Sequence, residues 1–429
     1  KEVTITPLIK NKIFTEEDKH RTILVPFFSE YYSPFVPVLF KLAGYNFVTL
    51  PPSDVHSSEL GLKFANNEVC YPATLVIGDI IKALQTRKYN RDEIAIGITQ
   101  TGGQCRATNY LSLIKKAMVA AGYEDIPVIS IASGDSLLNP QPGFDVKWRK
   151  ALTITAVSML YADCISKMYY ATVVRQKVQG GAVSLRDKYI NAALPFAEKK
   201  DIRGMLKLLK QAAAEFNSMC TDKEFVPRIG IVGEIYVKYN AFGNKNVVNW
   251  LIEQNVEVVM PSLANFFLQY FANYKINVAK HLEKPGLPQW IVDILFALVD
   301  RYIKKVENAA KDFKYYRPFT NIYTDAEKAE EIVNTAAQFG EGWLIPAEIA
   351  NFAEENVNYV VSLQPFGCIA NHVVAKGIER KLKHRFPSMN MLFLDFDSGV
   401  SDVNILNRLH FIIKGAEQQA EKEAEKATV

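Results

Sequence analysis

The sequence has no apolar run approaching the roughly 20 residues that a membrane-spanning helix requires. Nor does it carry a block of Lys and Arg interleaved with aromatics that would follow a nucleic-acid backbone. Its 50 basic and 46 acidic residues leave a formal charge of +4, too small to argue for a polyanionic partner. A phosphate loop of the Gly-x-x-x-x-Gly-Lys-Ser/Thr type is missing, so no ATPase site of that kind is visible. No Ser, His and Asp stand at a spacing that suits nucleophilic catalysis. Cysteine is scarce and odd in number, five widely separated residues, which excludes the framework of a secreted disulfide-rich domain. Reduced thiols in a cytoplasmic protein are the expectation. The chain begins at Lys1 with neither Met nor a signal-peptide pattern, which fits a segment of a longer protein.

What is present reads as a globular α/β protein. Hydrophobic residues make up 49% of 429, enough for two or three cores. Apolar, β-rich runs at 22–28, 47–50, 94–99 and 128–132 alternate with helical patterns at 71–84 and 108–121. Strands separated by helices imply βαβ units and a mostly parallel sheet covered on both faces. Strand signals vanish from about 151, where 151–162 and 205–216 suit helices, and return at 228–232, 256–260, 359–363 and 391–395. The expected organisation is an N-terminal α/β domain at 1–150, a helical subdomain at 151–224 and a C-terminal α/β domain at 225–429. That last domain holds a helical insertion around 263–335. Both α/β domains are expected to be Rossmann- or flavodoxin-like parallel sheets. The Glu/Lys/Ala-rich tail at 415–429 reads as a solvated helix end.

Three of the five cysteines lie in short loops where strands end and helices begin. They are Cys70 in Glu68-Val69-Cys70-Tyr71-Pro72, Cys105 in Gly102-Gly103-Gln104-Cys105-Arg106, and Cys368 in Pro365-Phe366-Gly367-Cys368-Ile369. In an open parallel sheet that edge is where ligands bind, and loop N–H groups and a helix N-terminus stabilise a thiolate there. Pro72 marks a helix start just after Cys70. Gly102 and Gly103 permit close backbone approach, their N–H groups can face cluster sulfides, and Arg106 can offset a cluster's negative charge. The same runs also suit tight turns around inert cysteines. Cys164 and Cys220, in apolar helical contexts, read as core.

Other signals are weaker. Gly230-Ile231-Val232-Gly233-Glu234 follows a strand but lacks the full Gly-x-Gly-x-x-Gly pattern. Glu234 and Lys238 suit either a cleft or a strand-end salt link, and Glu341 and Glu348 carry the same two readings. His372, four residues beyond Cys368, reads as structural.

With these loops in view the chain resembles the 2-hydroxyacyl-CoA dehydratase superfamily, and within it the C-terminal module of the large CoA-enzyme activase-related proteins. The resemblance runs from about Thr22 to Leu409. It is carried by Asn66-Asn67-Glu68-Val69-Cys70-Tyr71-Pro72, by Gln100-Thr101-Gly102-Gly103-Gln104-Cys105-Arg106-Ala107-Thr108-Asn109-Tyr110, and by Val232-Gly233-Glu234-Ile235. Further blocks are Gly340-Glu341-Gly342-Trp343, Gln364-Pro365-Phe366-Gly367-Cys368 with Asn371-His372-Val373, and Asp395-Phe396-Asp397-Ser398-Gly399. The resemblance implies a reductively activated, oxygen-sensitive iron–sulfur protein with a [4Fe–4S] cluster on Cys70, Cys105 and Cys368. It further implies a separate ATP-hydrolysing iron–sulfur activator as electron donor, an acyl-CoA substrate dehydrated through a ketyl radical, and a homo- or heterodimeric assembly. Relatives with a double-cubane [8Fe–9S] cluster reduce small molecules instead.

This chain departs from the large fused proteins in lacking their ATPase modules, so an activator has to come from another polypeptide or region. A self-contained double cubane needs about six thiolates. With five cysteines, two of them in core-like contexts, the chain supplies one cubane, and a double cubane requires a second module or subunit. Two other readings stand beside the enzyme. One is an electron-transfer or scaffold module contributing half of a shared double cubane; the other is a structural zinc site of three Cys and His372.

Overall fold

The computed structural model describes residues 11–66, 69–100, 105–131, 139–147, 151–223, 225–399 and 402–428. The chain divides into two compact units, one of Lys1–Phe28 with Val36–Ala151 and one of Ser29–Phe35 with Leu152–Val429.

The first unit is built on a four-stranded, all-parallel sheet in the order β2-β1-β3-β4. Its strands are β1 (Thr22–Val25), β2 (Asn46–Thr49), β3 (Ile94–Ile98) and β4 (Val128–Ser130). Every residue of β3 is buried, as a strand covered on both faces demands. Helices α1 (Phe35–Leu42), α2 (Val55–Phe64), α3 (Tyr71–Gln85) and α4 (Tyr110–Ala120) alternate with the strands. Asp54 caps α2 by accepting from the Ser57 N–H. Helices α2 and α3 form a tight hairpin, because Gly61 and Gly78 bring backbone onto backbone. A Cβ at Gly78 would stand 1.7 Å from the Ser57 carbonyl oxygen, and one at Gly61 2.1 Å from that of Thr74. The Gly102 and Gly103 loop lies outside the described residues.

The second unit begins with a run of long helices: α5 (Leu152–Val173), α6 (Gly181–Glu198) and α7 (Ile202–Met219). Helix α5 is buried along most of its length, which explains why its sequence lacks a polar stripe. Its Asp163 accepts from the Tyr32 hydroxyl at 2.6 Å and from the N–H groups of Leu263 and Ala264 at 2.8 and 3.1 Å. A parallel sheet follows, in the order β6-β5-β7-β8. Its strands are β5 (Arg228–Gly233), β6 (Glu257–Val259), β7 (Tyr359–Pro365) and β8 (Asn390–Phe396). Short helices α8 (Ile235–Tyr239) and α9 (Val247–Glu253) join β5 to β6. Between β6 and β7 the chain inserts α10 (Leu263–Ala279), α11 (Gln289–Ala310), α12 (Ile322–Glu330) and α13 (Leu344–Glu354). Helix α14 (Glu379–Arg385) precedes β8, and α15 (Asp402–Thr428) ends the chain.

The protein is therefore α/β, with two four-stranded parallel sheets amid many helices, as the alternation of strand and helix signals predicts. In each sheet the first strand in sequence lies inside the sheet, with the next on one side and the third on the other. The strand order therefore reverses between β1 and β3, and again between β5 and β7. Ligands of such folds bind outside the carboxyl ends of the strands at these reversals. Among the described residues no helix is long and apolar enough to cross a membrane.

Candidate thiol and carboxyl sites at the sheet edges

In the first unit Cys70 is the N-cap of α3, extended at φ −170°, and Pro72 occupies the first turn. Pro lacks the N–H that a helix start leaves unpaired, so the sequence Cys70-Tyr71-Pro72 starts the helix at little cost. The buried Sγ of Cys70 lies 3.3 Å from the Tyr110 hydroxyl. Cys105 caps a 3₁₀ turn, Arg106–Asn109, that leads directly into α4, and it is half-buried. Arg106 donates from its guanidinium to the Val69 carbonyl, beside Cys70. Gln100, just past β3, donates to the Thr108 carbonyl at 2.6 Å and accepts from the Ser130 hydroxyl at 2.8 Å. Two thiol loops 35 residues apart in sequence are thus tied at the edge of one sheet, through Arg106 and Tyr110.

In the second unit Cys368 follows β7 after a turn at Gly367, whose φ of +79° suits glycine. A short π-helical turn, Ala370–Ala375, begins just beyond it. Asn371, three residues on and fully buried, donates from Nδ2 to the Cys368 Sγ at 3.1 Å. A donor directed at sulfur suits a thiolate. His372 places its Nδ1 3.8 Å from Asp395 Oδ1.

The carboxyls of Glu341 and Glu234 are near enough to this thiol to oppose its ionisation. Gly233 ends β5 with φ +127°, where a Cβ would meet the Leu363 carbonyl oxygen at 2.2 Å, so only glycine lets β5 and β7 run this close to their ends. The close approach sets Glu234 beside β7, with its N–H donating to the Leu363 carbonyl at 3.2 Å. Half-buried Glu234 caps α8 by accepting from the Val237 N–H, and buried Glu341 accepts from the Ile235 N–H at 2.7 Å. Lys238, also buried, donates to both oxygens of buried Glu348 at 3.1 and 3.3 Å.

Three carboxyls therefore share one ammonium. Ionising all three would leave two uncompensated negative charges out of water, and protons are retained instead. Burial and the neighbouring Glu341 push Glu234 up to about 8, against the pull of the α8 N–H groups and Lys238. Burial pushes Glu348 up to about 7, against Lys238. Burial raises Glu341 as well. The Cys368 thiol is raised well above its ordinary value by burial first, and then by Glu341 and Glu234. A proton held on Glu234 removes one of those opposing charges.

Of the sequence-based candidates, the structure brings Cys70, Cys105 and Arg106 together in the first unit and places Cys368 in the second. Gly102 and Gly103 fall outside the described residues. Among the described residues neither unit by itself arranges three His, Cys, Asp or Glu side chains to hold a metal ion. Cys164, inside α5, is fully buried and pushed up to about 12 by that burial. Cys220 is buried too, but it sits just past the end of α7 in extended backbone bridged to Gln176, rather than in a helix. The salt link open to Lys238 forms with Glu348, 110 residues away, rather than with Glu234. Sequence reasoning gave no role to Tyr110 or Asn371. The signal for Asn371 was its helical spacing of three from Cys368, whereas Tyr110 reaches Cys70 only through the fold.

No protein-family model matches the chain. No curated protein matches it either.

Proposed function

We propose that this chain is an iron–sulfur redox protein of the 2-hydroxyacyl-CoA dehydratase type, carrying a [4Fe–4S] cluster on Cys70, Cys105 and Cys368. The observation that carries the reading is the repeated placement of these thiols. Cys105 and Cys368 lie beyond the ends of β3 and β7, whereas Cys70 lies between α2 and α3 rather than at a strand end as expected; all three open helical segments, while Cys164 and Cys220 are buried away from these loops. The donor set fits such a group. Cys70 and Cys105 are helix-capping residues with Arg106 alongside, and Cys368 accepts from Asn371. Bound there, the cluster would supply low-potential one-electron chemistry.

The chain's own residues contribute the setting. Asn371 donates to the Cys368 sulfur, the Tyr110 hydroxyl lies within hydrogen-bond reach of the Cys70 sulfur, and Arg106 fixes the Cys70 loop. Glu234, which holds a proton near neutrality, is poised to give or take it near Cys368. The electron donor in this reading is an ATP-dependent iron–sulfur activator on a separate polypeptide or region. The substrate is a 2-hydroxyacyl-CoA or a reducible small molecule. A shared [8Fe–9S] double cubane would need thiolates from a further module.

The test is anaerobic purification with iron and sulfide quantification, followed by electron paramagnetic resonance before and after dithionite. About four irons and four sulfides per chain, with a reduced-state cluster signal, are expected. Protein that folds under strict anaerobiosis, yet takes up neither iron nor sulfide on reconstitution, overturns the proposal. Stoichiometric zinc in place of iron would instead mark a structural site.

A further inference from the structure

We propose that a polar pocket between α10, α12 and α13 binds one alkali-metal cation. The inference does not depend on any cluster. Helix α10 carries three buried amides at successive turns, Asn265, Gln269 and Asn273, which share one face of the helix. The two ends of this stripe have partners. Asn265 donates from Nδ2 to the Thr320 hydroxyl at 2.9 Å, and Asn273 accepts from the Trp343 indole N–H at 2.7 Å. Thr320 in turn donates to Asp325 Oδ2 at 2.6 Å, and Asn351 donates to Asp325 Oδ1 at 2.8 Å. The stripe therefore faces α12 and α13, with Gln269 midway between its two anchors.

Two amide oxygens on this face accept no hydrogen bond, Asn265 Oδ1 and Gln269 Oε1. The one hydroxyl proton of Thr320 goes to Asp325, so Thr320 can only accept from Asn265, and Oδ1 is turned away from it. Gln269 commits Nε2 to the Phe266 carbonyl at 2.9 Å, a bond that folds its amide back toward the turn of Asn265 and leaves Oε1 bare. Gln269 is 2% exposed and Asn265 5%, so bulk water does not serve these oxygens. Buried polar atoms without a partner in the chain call for a bound ligand, an ion or a water.

The charge of the pocket selects between them. Asp325, 1% exposed, is bonded by the neutral donors of Thr320 and Asn351. Lys328, one turn further along α12, directs its ammonium to Asn351 Oδ1 at 2.8 Å and to Glu354 Oε2 at 2.6 Å instead. Among the described residues no cationic side chain ion-pairs with Asp325. A water molecule can donate to both amide oxygens, but it leaves that buried carboxylate uncompensated. A divalent ion would leave an excess positive charge out of water. A single positive charge balances the carboxylate, and carbonyl-type oxygens are the groups that replace the hydration shell of an alkali cation. The ion ties α10 to α12 and α13. Since α13 carries Glu348 to Lys238, the ion also steadies the carboxyl cluster of the second sheet.

The experiment is thermal unfolding of the full chain, dialysed into tetramethylammonium buffer and titrated with KCl or NaCl at constant ionic strength. A saturable rise of roughly 5 °C in melting temperature is expected at about 100 times the dissociation constant. Tetramethylammonium, whose methyl groups keep oxygen ligands from its charge, should give none. Gln269→Leu should melt close to the unsubstituted chain in alkali-free buffer, because it removes a bare oxygen, and should lose the alkali-dependent rise. Asp325→Asn should lose the rise as well. Ser158→Ala, which removes another unpaired polar atom, on α5, should keep it. Thallium(I), a spectroscopic stand-in for potassium, should give a bound nuclear magnetic resonance signal that disappears in Gln269→Leu. A melting temperature indifferent to alkali cations overturns the proposal and leaves the amide oxygens to buried water. A rise that survives Gln269→Leu places the ion elsewhere and overturns it too.

Discussion

In the first unit Cys70 meets the Tyr110 phenol while the Arg106 guanidinium bonds the Val69 carbonyl beside it; in the second, Cys368 faces the carboxyls of Glu341 and Glu234. The topology is the same in both, four parallel strands whose order reverses beside the thiol-bearing loop. The difference lies in what each loop needed in order to be buried. Among the described residues the first edge closes with the Tyr110 phenol and the Arg106 guanidinium. The second closes with three carboxyls around one lysine, so it holds protons that solvent would remove at neutral pH. One fold edge can therefore favour anionic sulfur while its counterpart stores protons. A centre that takes up an electron gains from both, because added negative charge is stabilised by a nearby cation or neutralised by a nearby proton.

The largest expected effect tests whether the two edges belong to one chemistry. Replacing Cys70, Cys105 or Cys368 with Ala should each remove most of the iron from anaerobically reconstituted protein, as measured by inductively coupled plasma analysis. Cys164→Ala and Cys220→Ala should retain iron and cost roughly 1 kcal/mol of stability. Iron loss confined to the first-sheet pair would break the equivalence of the two edges and remove Cys368 from the ligand set.

Next in size is the charge balance at the second edge. Lys238 is the cation buried against Glu348, so Lys238→Met leaves that carboxyl without its counter-charge. A loss of about 3 kcal/mol in urea unfolding is expected. Replacing both residues, as Lys238→Met with Glu348→Leu, should recover much of it, because the desolvation of two charges is then also relieved. Arg106→Gln at the first edge, which removes a bond to one carbonyl, should cost only about 1 kcal/mol. Equal losses in the two single variants would mean that the edges are electrostatically alike.

The sheets were legible in the sequence because their strands are short, apolar and buried on both faces. The runs at 94–99 and 359–363 coincide with β3 and β7 to within two residues at each end. The thiol loops were legible because Gly and Pro punctuate them, as at Pro72 and Gly367. The carboxyl cluster was visible only as separate residues with two readings each. Glu234, Glu341 and Glu348 span more than 100 residues, and only the pairing of β5 with β7 and the return of α13 bring them around Lys238.

A smaller effect comes from pH. In the metal-free protein Glu348 is raised from 4.5 to about 7, chiefly by burial. An acid whose folded pKa lies above its unfolded one binds its proton more tightly when folded. Its contribution is therefore fully present below pH 4.5 and is lost as pH rises through about 7. Stability of the second unit should fall by roughly 3 kcal/mol across that window. Glu348→Gln, which keeps the shape without the titration, should flatten this part of the profile. A profile that is already flat in the unsubstituted protein would place the retained proton elsewhere.

The smallest expected effect separates the two polar contacts made to sulfur. Tyr110→Phe removes the hydroxyl 3.3 Å from the Cys70 Sγ, and Asn371→Leu removes the amide 3.1 Å from the Cys368 Sγ. Each should cost about 1 kcal/mol or less in stability, since hydrogen bonds to sulfur are weak. Their effects on thiol reactivity should differ. Cys368 has Glu234 and Glu341 working against its ionisation, and Asn371 opposes them. Removing that donor should therefore slow iodoacetamide alkylation of Cys368 several-fold, read by mass spectrometry at pH 8 in unfolding-free conditions. Tyr110→Phe removes only a contact in which either partner can donate, and it should change alkylation of Cys70 by less than about twofold. A larger change at Cys70 than at Cys368 would reverse the electrostatic ordering of the two edges.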